Sequence, residues 1–123
     1  MGSFERVVTT ELAYQFGEVY IEVKFLQNFS EEYAALNGLE IGHRCGYVTM
    51  SRDNGDGTFK DFSQDEEDSY KVHGGVTYNR QNGGTVTLGF DCAHGGDSLE
   101  RCTLEYVRKE AEALATQMLG GVR

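Results

Sequence analysis

A long amphipathic segment at the end of the chain limits the fold more strongly than any other part of the sequence. Asp97-Ser98-Leu99-Glu100 is a capping box with Asp in the usual Ser/Thr position, and it predicts a helix over residues 98–119. The apolar residues of this segment recur at helical spacing and form one stripe: Leu99, Cys102, Tyr106, Val107, Ala111, Leu114, Ala115 and Met118. Such a helix needs a second apolar surface to pack against.

Strand patterns earlier in the chain supply that surface. Residues 19–25 alternate apolar and polar side chains, which is typical of a strand with one buried face. Residues 4–10 carry a weaker version of the pattern, and residues 43–50 form a third predicted strand. Between them, Ser30 is a good N-cap and Gly38 can take the left-handed C-terminal position, which predicts a short helix near residues 31–36.

Strands that come first and one long helix that comes last predict an α+β fold. We expect a strongly bent antiparallel sheet of about five strands, with the C-terminal helix packed on one face. The length of 123 residues suits one core, so residues 1–123 are predicted to form a single domain.

The charge balance and the apolar pattern exclude several classes of protein. Eleven Lys and Arg against twenty Asp and Glu give a net charge of −9, which argues against direct nucleic-acid binding because phosphates require a basic face. The sequence holds no apolar run long enough for a membrane span and no signal-peptide core, so we expect a cytoplasmic protein. Three cysteines without an export signal fit a reducing compartment.

A predicted hairpin carries the most informative residues. Residues 70–80 and 85–92 flank a turn at residues 81–84, and the even-numbered residues of both strands are mostly apolar. If both even sets face the core, the loop must have an odd length or a bulge. That register places His73 opposite or diagonal to Asp91 on the polar face of the sheet.

A histidine beside an aspartate suits either catalysis or ligand binding. The carboxylate fixes the tautomer of the ring and raises its basicity, so His73 and Asp91 would be catalytic if the protein is an enzyme. Glycines on the same face leave room for a flat ligand, and a helix start after residue 96 favours an anion. The predicted ligand-binding residues are Arg44, Gly74, Gly75, Thr77, Gly89, His94, Gly95 and Gly96. The alternative is a structural cross-strand pair with no ligand.

Two motifs resemble metal sites, and neither supports a metal or a cofactor. Residues 54–59 resemble the centre of an EF-hand loop, but Arg52 and Ser63 stand at the first and twelfth ligand positions, where carboxylates are required. His43 with Cys45 and Cys92 with His94 would supply a Cys₂His₂ set, yet their spacing is unusual for structural zinc. The sequence therefore favours cysteines that act as small core residues.

Three motifs resemble a known group of proteins. They are Cys45-Gly46-Tyr47-Val48, His73-Gly74-Gly75-Val76-Thr77-Tyr78 and Gly89-Phe90-Asp91-Cys92-Ala93-His94, in this order. This pattern over residues 44–118 is similar to that of small uncharacterised proteins encoded by bacteriophages and prophages. The resemblance implies a phage accessory protein in the cytoplasm of its bacterial host, and it implies no activity.

Three functions remain open from the sequence. The leading hypothesis is a binding module for a nucleotide-like or other small polar ligand. The second is a small hydrolase with His73 as general base, oriented by Asp91. The third is an inhibitor of a host defence or transcription protein, whose acidic residues 53–68 would imitate phosphates, although a solvated loop is the stronger explanation for them. Apolar residues outside the helix stripe also predict a homodimer. Residues 70–78, as an edge strand, lack the charges that protect residues 4–8, so we expect the face with His73 and Asp91 near the subunit contact.

Overall fold

Five strands and three helices make up the structure, a computed structural model that describes residues 4–121. In chain order they are β1 (Val7–Phe16), β2 (Val19–Gln27), α1 (Glu31–Asn37), β3 (Gly42–Ser51), α2 (Gln64–Ser69), β4 (Tyr78–Asn82), β5 (Thr85–Asp91) and α3 (Leu104–Met118). The strands form one sheet in the order β1-β2-β3-β5-β4, and each neighbouring pair is antiparallel. The predicted α+β fold is confirmed.

Local signals account for the elements that were predicted well. The Ser30 side chain accepts a hydrogen bond from the Tyr33 amide, and Gly38 closes α1 with φ of 64°, a left-handed conformation that glycine adopts without strain. The inner faces of β2 and β3 pack against α3, and the inner face of β5 joins the same core. Gly46 in β3 makes room for the ring of Phe90, since a Cβ at residue 46 would lie 2.5 Å from Phe90 Cε1.

The first strand is longer than predicted. It continues to Phe16, and its pairing with β2 shifts at Glu11, which is a β-bulge between Thr10 and Leu12. Beyond the bulge, Leu12 and Tyr14 face the core. The extra residue shifts which side of the strand faces the core, so residues 7–16 do not follow one continuous period-two pattern.

The predicted hairpin register is wrong. Asn82 pairs with Thr85, so the loop contains the two residues Gly83 and Gly84, and even positions face odd ones. Tyr78 therefore points away from the core, although it was expected inside. Residues 70–77 form a loop rather than a strand, and they still place Val72 and Val76 against the core.

The acidic segment that was expected to be an exposed loop contains a short helix. The Ser63 side chain caps α2 by accepting from the Glu66 amide. Just before it, Phe62 is buried, and its carbonyl accepts hydrogen bonds from the side chains of Asn79 and Gln81. This segment packs beside β4 and places Phe62 in the core.

The last helix begins later than predicted. Thr103 is its N-cap and accepts a hydrogen bond from the Tyr106 amide at 3.1 Å. The expected start at Ser98 is only a single turn, in which the Cys102 amide donates to the Ser98 carbonyl. The predicted stripe is buried from Val107 to Met118, whereas Tyr106 is exposed. None of the helices in residues 4–121 is long and apolar enough to cross a membrane.

Candidate metal centre

The loop that carries His73 is held in place by two buried polar residues of α3. The carboxylate of Glu110 accepts a hydrogen bond from the His73 amide at 2.9 Å. The Gln117 side chain accepts from the Lys71 amide at 2.7 Å and donates to the Lys71 carbonyl at 2.8 Å. Glu110 and Gln117 lie next to the apolar stripe of the helix in sequence. The stripe predicts which apolar residues are buried, but it did not predict that these two polar residues are buried with them.

Four side chains converge beside this loop. His73 Nε2 lies 2.8 Å from Asp97 Oδ1 and 3.9 Å from Cys102 Sγ. Cys92 completes the group, and one ligand atom from each of the four residues lies within 4.8 Å of the others. Cys92 and Cys102 are 4% and 1% exposed, so the cluster is closed on its inner side.

Two segments of the chain, residues 70–77 and 92–102, deliver these ligand atoms. His73 comes from the loop before β4, and Cys92 directly follows β5. Asp97 is placed by a turn in which its amide donates to the His94 carbonyl at 2.9 Å. Cys102 ends the turn before α3, and the guanidinium of Arg44 donates to its carbonyl at 3.0 Å. The cluster therefore depends on the tertiary fold.

The arrangement does not fit a cysteine nucleophile activated by a histidine and an aspartate. In such a relay the nucleophile and the carboxylate contact opposite nitrogens of the ring. Here Asp97 and Cys102 both approach Nε2 of His73, while Nδ1 lies 2.8 Å from the Tyr106 hydroxyl. Burial, with a hydrogen bond to Cys102, also raises the pKa of the Cys92 thiol well above its ordinary value.

The carboxylate of Asp97 stays ionised in this setting. Burial by itself would raise the pKa of Asp97, but hydrogen bonds from the His94 amide and from His73 outweigh it and hold the pKa below its usual value. Asp97 Oδ2 accepts from the His94 amide at 2.9 Å, which leaves Oδ1 directed at the cluster.

The donor set fits a zinc ion. Zinc binds imidazole, thiolate and carboxylate groups tetrahedrally at about 2.0–2.3 Å, so the ligand atoms of a filled site lie roughly 3.3–3.9 Å apart. The spacings around His73 match this range after small side-chain shifts. Tyr106 on Nδ1 is the kind of outer hydrogen-bond partner that orients a metal-bound imidazole.

The predicted pairing of His73 with Asp91 is wrong, because residue 73 lies in a loop rather than opposite residue 91 in a hairpin. Asp91 instead lies beside His94, with 3.5 Å between Oδ1 and Nδ1, and it accepts from the Ala93 amide. The aspartate that contacts His73 is Asp97.

The predicted ligand-binding residues fall in different places. Arg44 and His94 line a cleft of about 180 Å³ that borders Cys92, Asp97 and Cys102. The ring of His94 occupies the space over Gly74, where a Cβ would lie 2.5 Å from Cε1 of that ring.

The other glycines and Thr77 are not part of that cleft. Tyr47 covers Gly89, and Gly75 is open with φ of 80°. Gly95 and Gly96 precede a turn rather than a helix start, and the Thr77 amide donates to the Gly89 carbonyl.

The Cys₂His₂ set that the sequence suggested is not brought together. Cys45 is on the outer face of the sheet, opposite Asp91, and His43 Nδ1 lies 3.1 Å from the side-chain nitrogen of Asn28. Of that set only Cys92 belongs to the cluster. The sequence pattern places Cys102 in the helix stripe and Asp97 in a helix cap, which is why neither was expected to be a ligand.

Comparisons of the chain with models of known protein families, with curated protein sequences and with solved structures give no match.

Proposed function

We propose that this protein binds zinc through His73, Cys92, Asp97 and Cys102, and that the ion fastens the loop of residues 70–77 and the segment of residues 92–102 to the sheet. The observation that carries the proposal is the convergence of four ligand atoms within 4.8 Å of one another. A His, an Asp and two Cys form a donor set that suits zinc better than calcium or magnesium, which prefer oxygen ligands.

The number of protein ligands supports a stabilising role for the ion. Structural zinc sites use four protein ligands, whereas catalytic sites keep one position for water. Both cysteines are buried, and the fourth ligand is supplied by the chain itself. A closed site favours a protein that acts by binding over the hydrolase alternative, which required His73 beside Asp91.

The test measures zinc in the full chain and in matched variants. The protein is expressed with zinc and purified under reducing conditions, and metal content is measured by mass spectrometry. We expect about one zinc per chain, and its removal by a chelator should lower the melting temperature. Cys102→Ser and His73→Ala should lose most of the zinc. Cys45→Ser removes another buried cysteine outside the cluster and should retain it.

Two outcomes would contradict the proposal. One is a wild-type protein that takes up no zinc after it has been reduced and exposed to the metal. The other is equal zinc content in Cys102→Ser and Cys45→Ser. Because a cysteine variant can unfold, the metal content of each is measured only on the monodisperse, folded fraction.

The cellular location and the partners of the protein are also proposals. The phage resemblance supports an accessory protein in the cytoplasm of a bacterial host, where reducing conditions would keep Cys92 and Cys102 available to a metal. An acidic surface that inhibits a host protein has less support, because Asp53 and Asp56 accept hydrogen bonds from the amides of their own loop. The open edge of β1 favours a second copy of the chain as the macromolecular partner.

A further inference from the structure

The face of the sheet opposite α3 carries a groove that the zinc proposal does not use. Its volume is about 440 Å³, within the range of sites for small molecules. Tyr47 and Tyr78 stand in it, and their ring centroids are 5.4 Å apart in an edge-to-face arrangement. Gly89 lies between them in the register, and a Cβ there would come within 2.7 Å of the Tyr47 ring.

Two cations stand on this groove in a chain of strongly negative net charge. Lys24 Nζ lies 5.3 Å from the centroid of the Tyr47 ring, and Arg80 follows Tyr78 by two residues on the same face of β4. Neither Lys24 nor Arg80 forms an ion pair with a carboxylate among residues 4–121. Such cations are available to an anion from solvent.

Hydrogen-bonding groups line the groove beside Arg80. The hydroxyls of Thr49 and Thr87 are 2.8 Å apart on neighbouring strands and form the floor of the groove. Burial raises the pKa of Tyr47 to about 12, so its hydroxyl keeps its proton at neutral pH. Glu22 pairs with Tyr47 in the register and offers a carboxylate acceptor for sugar hydroxyls.

We propose that this groove binds a single nucleotide, with the base against Tyr78 and the phosphates against Arg80 and the neighbouring hydroxyls of Thr87 and Thr49. Tyr78 is 40% exposed, so a face of its ring is open to stacking, and aromatic stacking tolerates any base. The net charge of −9 repels an extended polyanion, whereas one nucleotide meets only the local groups. The groove therefore selects a small molecule over a nucleic-acid strand.

The site is independent of the metal centre. The cluster around His73 lies on the helix side of the sheet, and the groove lies on the other side. Failure of the zinc experiment therefore leaves the nucleotide proposal intact, and the reverse also holds.

The experiment titrates the purified full chain with ATP and with UTP by calorimetry. Adenosine, tripolyphosphate and single-stranded dA12 serve as comparison probes. We expect a nucleotide to bind, with adenosine and tripolyphosphate each at least about tenfold weaker because each keeps only one half of the contacts. The oligonucleotide should bind no more tightly than the nucleotide.

Matched variants locate the binding. Tyr78→Ala and Arg80→Gln should each weaken nucleotide binding by about tenfold or more. Tyr33→Ala on α1 and Lys109→Gln on α3 remove an exposed tyrosine and an exposed lysine elsewhere, and they should change the affinity by less than about twofold. All four positions are exposed, so the variants are expected to fold.

Several results would overturn the proposal. They are the absence of binding by both nucleotides, tripolyphosphate binding as tight as that of the nucleotide, and tighter binding of dA12. Equal weakening in the groove variants and in the control variants would also place the ligand elsewhere.

Discussion

Glu110 is a buried carboxylate that contacts a backbone amide in the loop of residues 70–77. It is 6% exposed and accepts a hydrogen bond from His73. We predict that Glu110→Leu, which removes the acceptor, lowers the free energy of unfolding by about 1–3 kcal/mol, because the half-buried His73 amide loses this partner. Zinc affinity should fall by about tenfold, as it does when an outer contact of a metal ligand is lost.

The conservative variant separates positioning from packing. Glu110→Gln keeps a side-chain oxygen that can accept from the His73 amide, so it should retain most of the stability and of the zinc affinity. Urea denaturation and competition with a chelating dye measure the two quantities. A Glu110→Leu protein with wild-type zinc affinity would show that this contact does not position the ligand.

Only some residues of the cluster could be identified from the sequence. His73, Cys92 and His94 stand out in the sequence because their side chains carry chemistry, and two of them are in the cluster. The sequence pattern places Asp97 in the cap and Cys102 in the first turns of a helix from Ser98, whereas the helix begins only at Leu104. The capping box and the apolar stripe are local patterns, and they are compatible with the longer helix as well as with the observed one. The positions of Asp97 and Cys102 in the cluster therefore follow only from the path of the chain in the fold.

At the scale of elements, the start of α3 is the boundary that decides the site, because a helix from Ser98 would place Asp97 and Cys102 differently. Thr103→Ala removes the side-chain acceptor for the Tyr106 amide and should lower the free energy of unfolding by about 1 kcal/mol. Thr103→Ser keeps the hydroxyl and should cost much less. Urea denaturation distinguishes them, and equal stability of the two variants would mean that the helix does not begin here.

Elements set by neighbouring residues were predicted well, and those set by contacts distant in sequence were not. α1, β2 and β3 were predicted close to their bounds because caps and alternation are properties of neighbouring residues. The hairpin was placed in the wrong register because the even-numbered apolar residues of 70–78 were assigned to one strand. Residues 70–77 form a loop, and the position of β4 depends also on a distant segment. Phe62, which accepts from Asn79 and Gln81, comes from a segment about twenty residues earlier in the chain.

At the scale of the whole molecule, the two edges of the sheet differ. At the β4 edge the Asn79 side chain is hydrogen-bonded to the Phe62 segment, whereas β1 pairs only with β2 among the described strands, and Val7 and Val8 are 48% and 53% exposed. Edge strands of this kind pair with another copy unless charge prevents it. We therefore predict a homodimer in which two copies of β1 pair and extend the sheet.

Light scattering with size-exclusion chromatography tests the dimer. At high micromolar concentration the wild-type mass should be about twice 13.7 kDa. Val8→Lys adds a charge to the open edge and should shift the protein towards the monomer, while Lys109→Gln on α3 should leave the mass unchanged. A wild-type mass of 13.7 kDa under these conditions contradicts the prediction.

The distance along the chain between the clustered side chains has a consequence for the unfolded state. His73 and Cys102 are 29 residues apart in sequence, yet their side chains meet. An ion held by both would close a loop of that length and reduce the conformational entropy of the unfolded chain, much as a disulfide does. Unlike a disulfide, this cross-link forms under reducing conditions and can be reversed by metal exchange. Metal supply would thereby set the lifetime of the native state.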